Sequence, residues 1–579
     1  MSRNLCLSIA CSFSLAAVAD TAQADLTPDW ISYLPSGSSL LAGFQDMVVD
    51  SNGITYVTGA HGSSSNLDIL TAAFGTDGAL LWSASYDGTE QWHDQARGIA
   101  LAPGGVVLVC GNTPNSGSYA NVLVLAYDAG TGQLLDSVQY SSGASTSEAG
   151  TAIVADRQGN VFVGGTTVGE DGDALILKFD SDLNLLWKRV WDGPALAPYS
   201  QDSVQQIQLS PAEEPVVLIH GVMASNHPDY VVVKYAPADG SKTWQAAWGS
   251  NGEDSPSDMV IDPGSDVLVT GTAIHGTNQF STIRLRGSDG SLLWQQYDSA
   301  AARDSATALA LDENGGVYIT GRVDPDGDRS NSNDNIYTVK RDALNGAFRW
   351  SHLYGLNAVG NFDVPSDVIV DQDGHVFVAG RTNSPPYNND TITLVLDSGT
   401  GLETDRGIVS GSSTQMANPE ELAFDSAQRL LVGGETYDFN SGEIQISVFR
   451  YPSLIGRDGQ FIDLGGGLAG QYAPRLDGSG SLRANGSFTL FLTQLPPATS
   501  GPLFVGFALW NQPFKGGILL PTPDLILFLA TRNGAFDLPG SMPPGVPSRF
   551  SLYLQAWFPD TGAPQGLCAT NGLELITPQ

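Results

Sequence analysis

One phrase recurs eight times along this chain of 579 residues, and no other feature constrains the fold as strongly. Two copies show its form: MVVDSNGITYVTG at 47–59 and VIVDQDGHVFVAG at 368–380. Each is an apolar run, a polar turn carrying Asp or Gly, and a second apolar run closing on Gly. In the fifth copy SDMVIDP, DVLVTGTA, FSTIRLRG and SLLWQQYDS are four strands joined by short turns. Ile283 and Leu285 alternate there with Thr282 and Arg284, as in strands with one buried face. Residues matched across the copies are Asp46, Arg97, Thr151, Gln205, Asp258, Thr307, Asp367 and Glu421, so starts lie roughly 50–60 residues apart. Strand-only repeats of this period predict four-stranded blades set radially, an all-β, eight-bladed β-propeller over residues 25–454. Such a scaffold carries unrelated activities and by itself assigns none.

A second signature marks the fourth strand. Trp follows a turn Gly at a fixed offset in Gly78/Trp82, Gly240/Trp244, Gly290/Trp294 and Gly346/Trp350, and Trp187 holds the matching place. Asp136 and Asp405 break the pattern. A large flat side chain repeated here fills the wedge between neighbouring blades. The eighth copy runs out through GEIQISVFRYPS (442–453) without a Trp-bearing fourth strand, whereas Pro28-Asp29-Trp30-Ile31-Ser32-Tyr33 is similar to LLWSASY at 80–86. The N-terminal segment is therefore expected to complete the last blade and close the ring, pairing edges that would otherwise stay open.

The first residues predict export. Arg3, the apolar stretch Leu5–Ala19 and the small-x-small end Ala22-Gln23-Ala24 form a signal peptide over residues 1–24. The stretch is too short to span a bilayer, and the residues before Cys11 lack the Leu usual at a lipidation site. The expected location is the periplasm, the cell surface or the medium. Cys110 and Cys568 remain after removal of the signal; their spacing leaves pairing open, and two small buried hydrophobes are the plainer expectation. The net charge of −35 reflects scarce bases, 26 Lys and Arg against 61 Asp and Glu. Such a surface repels nucleic acid and anionic membranes.

Residues 455–579 lose the repeat and gain Pro. SFTLFLTQL (487–495), LFVGFALW (503–510), DLILFLAT (524–531) and RFSLYLQAWF (549–558) are short strands between Gly/Pro turns, as in a separate antiparallel β-sandwich.

The phrase of apolar strand, Asp-x-x-Gly and second strand, followed by Asp-Gly-x-Leu-Leu-Trp, resembles the bacterial SBBP propeller repeats over about residues 28–453. The Gly-to-Trp offset is similar to the Trp-docking motif of pyrroloquinoline-quinone-type propellers. The fourth copy departs, with SPAEEP for the Asp-x-x-Gly turn. The tail resembles a C-terminal β-sandwich module of secreted proteins from planctomycetes and other Gram-negative bacteria. These resemblances imply a fold and no substrate. Quinone-dependent dehydrogenases place a vicinal disulfide beside the quinone, and this chain has no adjacent cysteines.

The strongest constellation of polar residues is acidic. Asp94, Glu148, Asp202, Asp254, Asp304 and Asp363 stand just before successive first strands, with Glu420 nearby in the eighth copy. Radial repetition would gather them at a channel mouth, where Ca²⁺ is the one cofactor they suggest. The plainer expectation is that each accepts backbone N–H bonds in its own loop. The turns at Asp50, Asp312 and Asp371-Gln372-Asp373 lack calcium-loop spacing, and DPDGDRSNSNDN (324–335) is foremost a solvated loop. No His or Cys cluster fits zinc, and no Gly-x-Ser-x-Gly elbow occurs, so no catalytic residue is assigned. The leading expectation is a non-catalytic binding or scaffold protein whose propeller face contacts a protein or glycan partner through loops such as 113–119, 192–203 and 324–335. The alternatives are a polysaccharide lyase or hydrolase with paired carboxylates at the channel mouth and, further off, a quinone-dependent dehydrogenase.

Overall fold

The structure, a computed structural model, describes residues 24–578 apart from 36–42, 64, 91, 116–118, 144–145, 169–171, 194–201, 224–226, 251, 301–302, 325–332, 356–361, 384–388, 410–414, 439–442, 455–458, 484–485, 531–533, 544–545 and 548. Residues 1–23 of the expected signal, and most of the loops at 192–203 and 324–335, lie outside the described residues.

Short apolar runs broken by Gly/Asp turns give an almost purely β molecule. Blade 1 pairs Phe44–Val49, Thr55–Ser63, Asn66–Phe74 and Leu80–Tyr86 in that order, and six more four-stranded antiparallel units repeat the scheme as far as Glu403–Val409. The eighth unit takes Gln415–Phe424, Leu430–Asp438 and Glu443–Arg450 from the end of the repeat region and Trp30–Pro35 from its start. Trp30 pairs with Arg450 and Pro35 with Gln445, as the sequence anticipates. Each first strand packs against the next round the ring, and Gln415–Phe424 packs against Phe44–Val49. The fold is a β-propeller whose seam is closed by the N-terminal strand.

Each first strand carries a β-bulge at the same place, where one extra residue shifts the pairing. The bulge sets the true register between blades and corrects the match made on sequence. Asp46 follows its bulge, and its counterparts are Gly98, Ala152, Gln206, Asp258, Ala308, Asp367 and Glu421. Arg97, Thr151, Gln205 and Thr307 are the bulged residues themselves. Glu420 is likewise a bulged residue, and the eighth-blade counterpart of Asp94 is Ala417.

The tryptophans work across seams. Trp82 lies against Gly132 of the next blade, where a Cβ would stand 2.5 Å from the indole, and donates its Nε1–H to Ala129 O at 2.8 Å. The same bond runs from Trp187 to Pro237 O (3.1 Å), Trp244 to Gly287 O (3.0 Å), Trp294 to Ala343 O (2.7 Å), Trp350 to Ser398 O (2.8 Å) and Trp30 to Thr76 O (3.2 Å). In five of these seams the cross-strand neighbour of the Trp is a base that donates to the same carbonyl: Lys178, Lys234, Arg284, Lys340 and Arg450. Half of the chain's six lysines are thereby spent inside the ring.

Beyond residue 459 two sheets face one another. One runs Gln460–Gly465, Gly572–Ile576, Ser551–Pro559, Ser500–Gly506 and Leu525–Ala530; the other runs Arg475–Gly480, Ser487–Thr493 and Phe536–Ser541. Leu490, Leu492 and Leu538 of the second meet Leu503, Leu554 and Leu575 of the first in one apolar core. Cys110 and Cys568 are both free and buried.

Candidate functional site

The six acids singled out in the sequence share one structural position, three residues before the bulge, and all are at most 1% exposed. Five of them accept bonds from the loop that links one blade to the next, while Asp363 is bonded by the second strand of its own blade. Asp202 accepts the N–H of Gly193 at 2.9 Å and of Val222 at 2.8 Å. Asp254 takes the Ser250 hydroxyl at 2.8 Å and the Ile274 N–H at 3.0 Å, and Asp363 takes the Thr382 hydroxyl at 2.5 Å. Asp304 takes the Ala300 N–H at 2.9 Å, Glu148 the Ser142 N–H at 3.2 Å, and Asp94 the Gly88 N–H at 2.8 Å. Two of the six enter separate three-carboxylate groups, Asp68–Asp87–Asp94 and Asp173–Asp192–Asp202. The blade seams hold these acids; the loop-fastening role is the one their bonds describe.

A second set of acids stitches the inner strands. Asp46, Asp258 and Asp367 each accept the N–H of the following residue and an N–H of the next blade: Ile99 at 2.7 Å, Leu309 at 2.8 Å and Leu422 at 2.8 Å. Glu421 returns the favour across the closing seam, accepting Met47 N–H at 2.7 Å. Burial raises their pKa values against these bonds, to about 6 for Asp258 and about 7 for Asp367. Burial also lifts Glu421 well above the usual carboxylate range, and the neighbouring Asp46 adds to the shift. Each oxygen of Asp258 and of Asp367 thus accepts one backbone N–H, and these bonds hold neighbouring inner strands together. Sequence matching finds these residues but not the bonds, which join groups 51 to 55 positions apart and, at the closing seam, 374.

A third feature lies where the two parts of the molecule meet. Ser479 Oγ reaches Asp397 Oδ2 at 3.4 Å, joining the second C-terminal sheet to the turn that follows the third strand of blade 7. Beside this contact is a cavity of about 230 Å³, lined by Glu313, Asp373, Asp463 and Asp477 among others, with Arg475 as its one Lys or Arg among the described residues. Asp312, Asp371 and Asp397 also line it, Asp371 accepting the N–H of His375 at 2.9 Å and meeting the His375 ring at 2.7 Å, while Asp463 and Asp477 accept the N–H of Gly465 at 2.7 Å and of Gly478 at 2.9 Å. Burial raises the pKa of Asp477, and Asp463 and Asp312 add to the shift. This concentration of negative potential, walled by protein on several sides, favours a cationic group. It was not visible in the sequence, because its acids come from three separate turns of blades 6 and 7 and from two C-terminal strands far along the chain.

No family model matches the chain, and no curated protein matches it. Among solved structures it is similar to quinohemoprotein alcohol dehydrogenase from Comamonas testosteroni, with 12% identity over 76% of this chain and 79% of that one and a TM-score of 0.48. It is similar also to Sqt1 from Chaetomium thermophilum (12% identity, 74% and 98% covered, TM-score 0.45). A third is the WD40 domain of SCAP from fission yeast (10% identity, 74% and 98% covered, TM-score 0.42). At such identities the likeness concerns the fold alone. Among the described residues no helix is long and apolar enough to cross a membrane.

Proposed function

We propose that this is an exported, non-catalytic binding protein that receives a lysine or arginine side chain of a protein partner in the acidic cavity between propeller and C-terminal sheets. The observation that carries it is the lining: exposed or half-buried Glu313, Asp373, Asp463 and Asp477 against a single arginine. The volume of about 230 Å³ falls below the roughly 300–1,000 Å³ of sites that enclose whole small ligands, so it suits one side chain better than a run of sugars. In this proposal the signal peptide spans 1–24, an SBBP-type propeller of eight blades spans 25–454, and 455–579 is the β-sandwich module that supplies one wall. The engagement of the inner-strand acids Asp46, Asp258, Asp367 and Glu421 with cross-blade N–H groups supports binding over polysaccharide cleavage.

An oligolysine peptide titrated into the mature protein tests the proposal. Binding at low salt that weakens as salt rises is expected, and the Asp463→Asn/Asp477→Asn pair should lower affinity about tenfold, roughly 1.4 kcal/mol. Absence of peptide binding, or release of reducing sugar from polysaccharides by the same preparation, would overturn it.

A further inference from the structure

Where blade 1 hands over to blade 2, three segments bring carboxylates together. Asp68 lies on the third strand of blade 1, Asp87 just beyond its fourth strand, and Asp94 just before the first strand of blade 2. One oxygen from each lies within 4.8 Å of the others. That spacing is what oxygens on opposite sides of one calcium ion show, with Ca–O distances of about 2.3–2.6 Å.

Acidic residues often gather without an ion, and a second observation separates this group. Asp94 is fully buried, and while its Oδ2 accepts the Gly88 N–H, its Oδ1 has no hydrogen-bond partner. Thr113, also fully buried, sets its hydroxyl beside the same carboxylate, where it favours the charged form, and its Oγ1 has no other partner. A Cβ on Gly88 would stand 2.6 Å from Thr113 Oγ1 and 2.8 Å from Asp94 Oδ1, so both oxygens converge on the space this glycine leaves. Buried oxygens without a full set of partners cost free energy, and two at one point call for a ligand. Three carboxylates this close repel one another when ionised. A divalent cation would relieve that repulsion.

The seam between blades 3 and 4 provides an internal comparison. Asp173, Asp192 and Asp202 occupy the corresponding places, but both oxygens of Asp202 are taken by backbone N–H groups. We propose that Asp68, Asp87 and Asp94, with Thr113, form a calcium site at the seam between blades 1 and 2. A hard ion with all-oxygen ligands and no His or Cys among them fits calcium better than zinc or copper. Bound there, it ties the outer half of blade 1 to the start of blade 2.

Calorimetric titration of calcium chloride into chelator-treated mature protein, with thermal melts alongside, tests the site. Saturable binding with a rise in melting temperature is expected, at a Kd on the order of 10⁻⁴–10⁻³ M or tighter, as for extracellular calcium modules. Asp87 is exposed, so Asp87→Asn should leave the fold intact and weaken calcium at least about tenfold, whereas Asp192→Asn should leave that binding unchanged. Asp68→Asn should act as Asp87→Asn does. No heat and no change in melting at millimolar calcium would overturn the proposal, as would binding lost in Asp192→Asn but kept in Asp87→Asn.

Discussion

Six seams of the ring are closed by an indole and two are not, and each of the two replaces the missing part differently. Between blades 2 and 3 the Trp position is Asp136, and the turn that would receive it has Leu183 where other blades have Gly. Leu183 sits at φ 54 and is 5% exposed, packed among Val161, Leu177 and Phe179. Glycine is required only where an indole lies on the turn, as at Gly132 beneath Trp82. Once the indole is gone a side chain enters and fills the space, at the cost of a left-handed backbone that a branched residue resists. Between blades 7 and 8 the Trp position is Asp405, and the eighth blade has no such turn because its fourth strand comes from the N-terminus. There Ala24–Leu26 adds in parallel to Glu403–Val409, and Leu26, Tyr451 and Leu454 bury together. The comparison teaches that indole and glycine form one unit across the seam, kept or lost together.

The largest effect that bears on this comparison is loss of the closing strand. Deleting residues 25–35 removes the fourth strand of blade 8 and the indole of Trp30 at once, leaving two strand edges open. A loss exceeding the roughly 3–5 kcal/mol of one buried aromatic is expected, with association of the opened ring visible by light scattering. A melt equal to that of the intact protein would show that closure by this strand contributes little.

Next in size is a double-mutant cycle at the unusual seam. Asp136→Trp alone should destabilise by about 1–3 kcal/mol through overpacking on Leu183, and Leu183→Gly alone by about 2–5 kcal/mol through the cavity it leaves. Combined, they rebuild the unit found in six other seams, and denaturant melts should show the double variant more stable than the sum of the singles predicts. Strict additivity would break the comparison.

The smallest effect is a pH dependence of the inner stitches. The folded pKa of Asp367 is raised to about 7, with burial as the leading cause, above the usual aspartate value. The folded state therefore holds a proton that the unfolded chain has released. Stability from this group is complete below about pH 4 and declines as pH rises through 7. Melting temperature should fall from pH 5 to pH 8 more steeply in the parent protein than in Asp367→Asn; equal slopes would remove Asp367 as the cause.

Much of the architecture could be read from local pattern. Strand, turn and strand are written in each copy, and the likeness of residues 28–33 to 80–86 anticipates closure by Trp30. The bulge escaped, because an extra unpaired residue looks like any other in an alternating run; Glu420 was accordingly set beside Asp94 when Ala417 is its counterpart. The six acids were found by position, yet their partners could not be. Asp94 meets Asp68 from an earlier strand, Thr113 from a later one and Gly88 in the linking loop, and only the folded seam brings these together.

The sequence by itself determined the repeating strand unit and the place of each indole, because both rest on periodic burial and turn chemistry within a few residues. Tertiary structure decided which carbonyl each indole meets, which carboxylates lose their freedom to backbone N–H groups and which oxygens are left without a partner. Those outcomes depend on pairs drawn from different strands, loops and blades, whose approach is set by ring closure and packing between blades. Local pattern carries no information about distances of that kind.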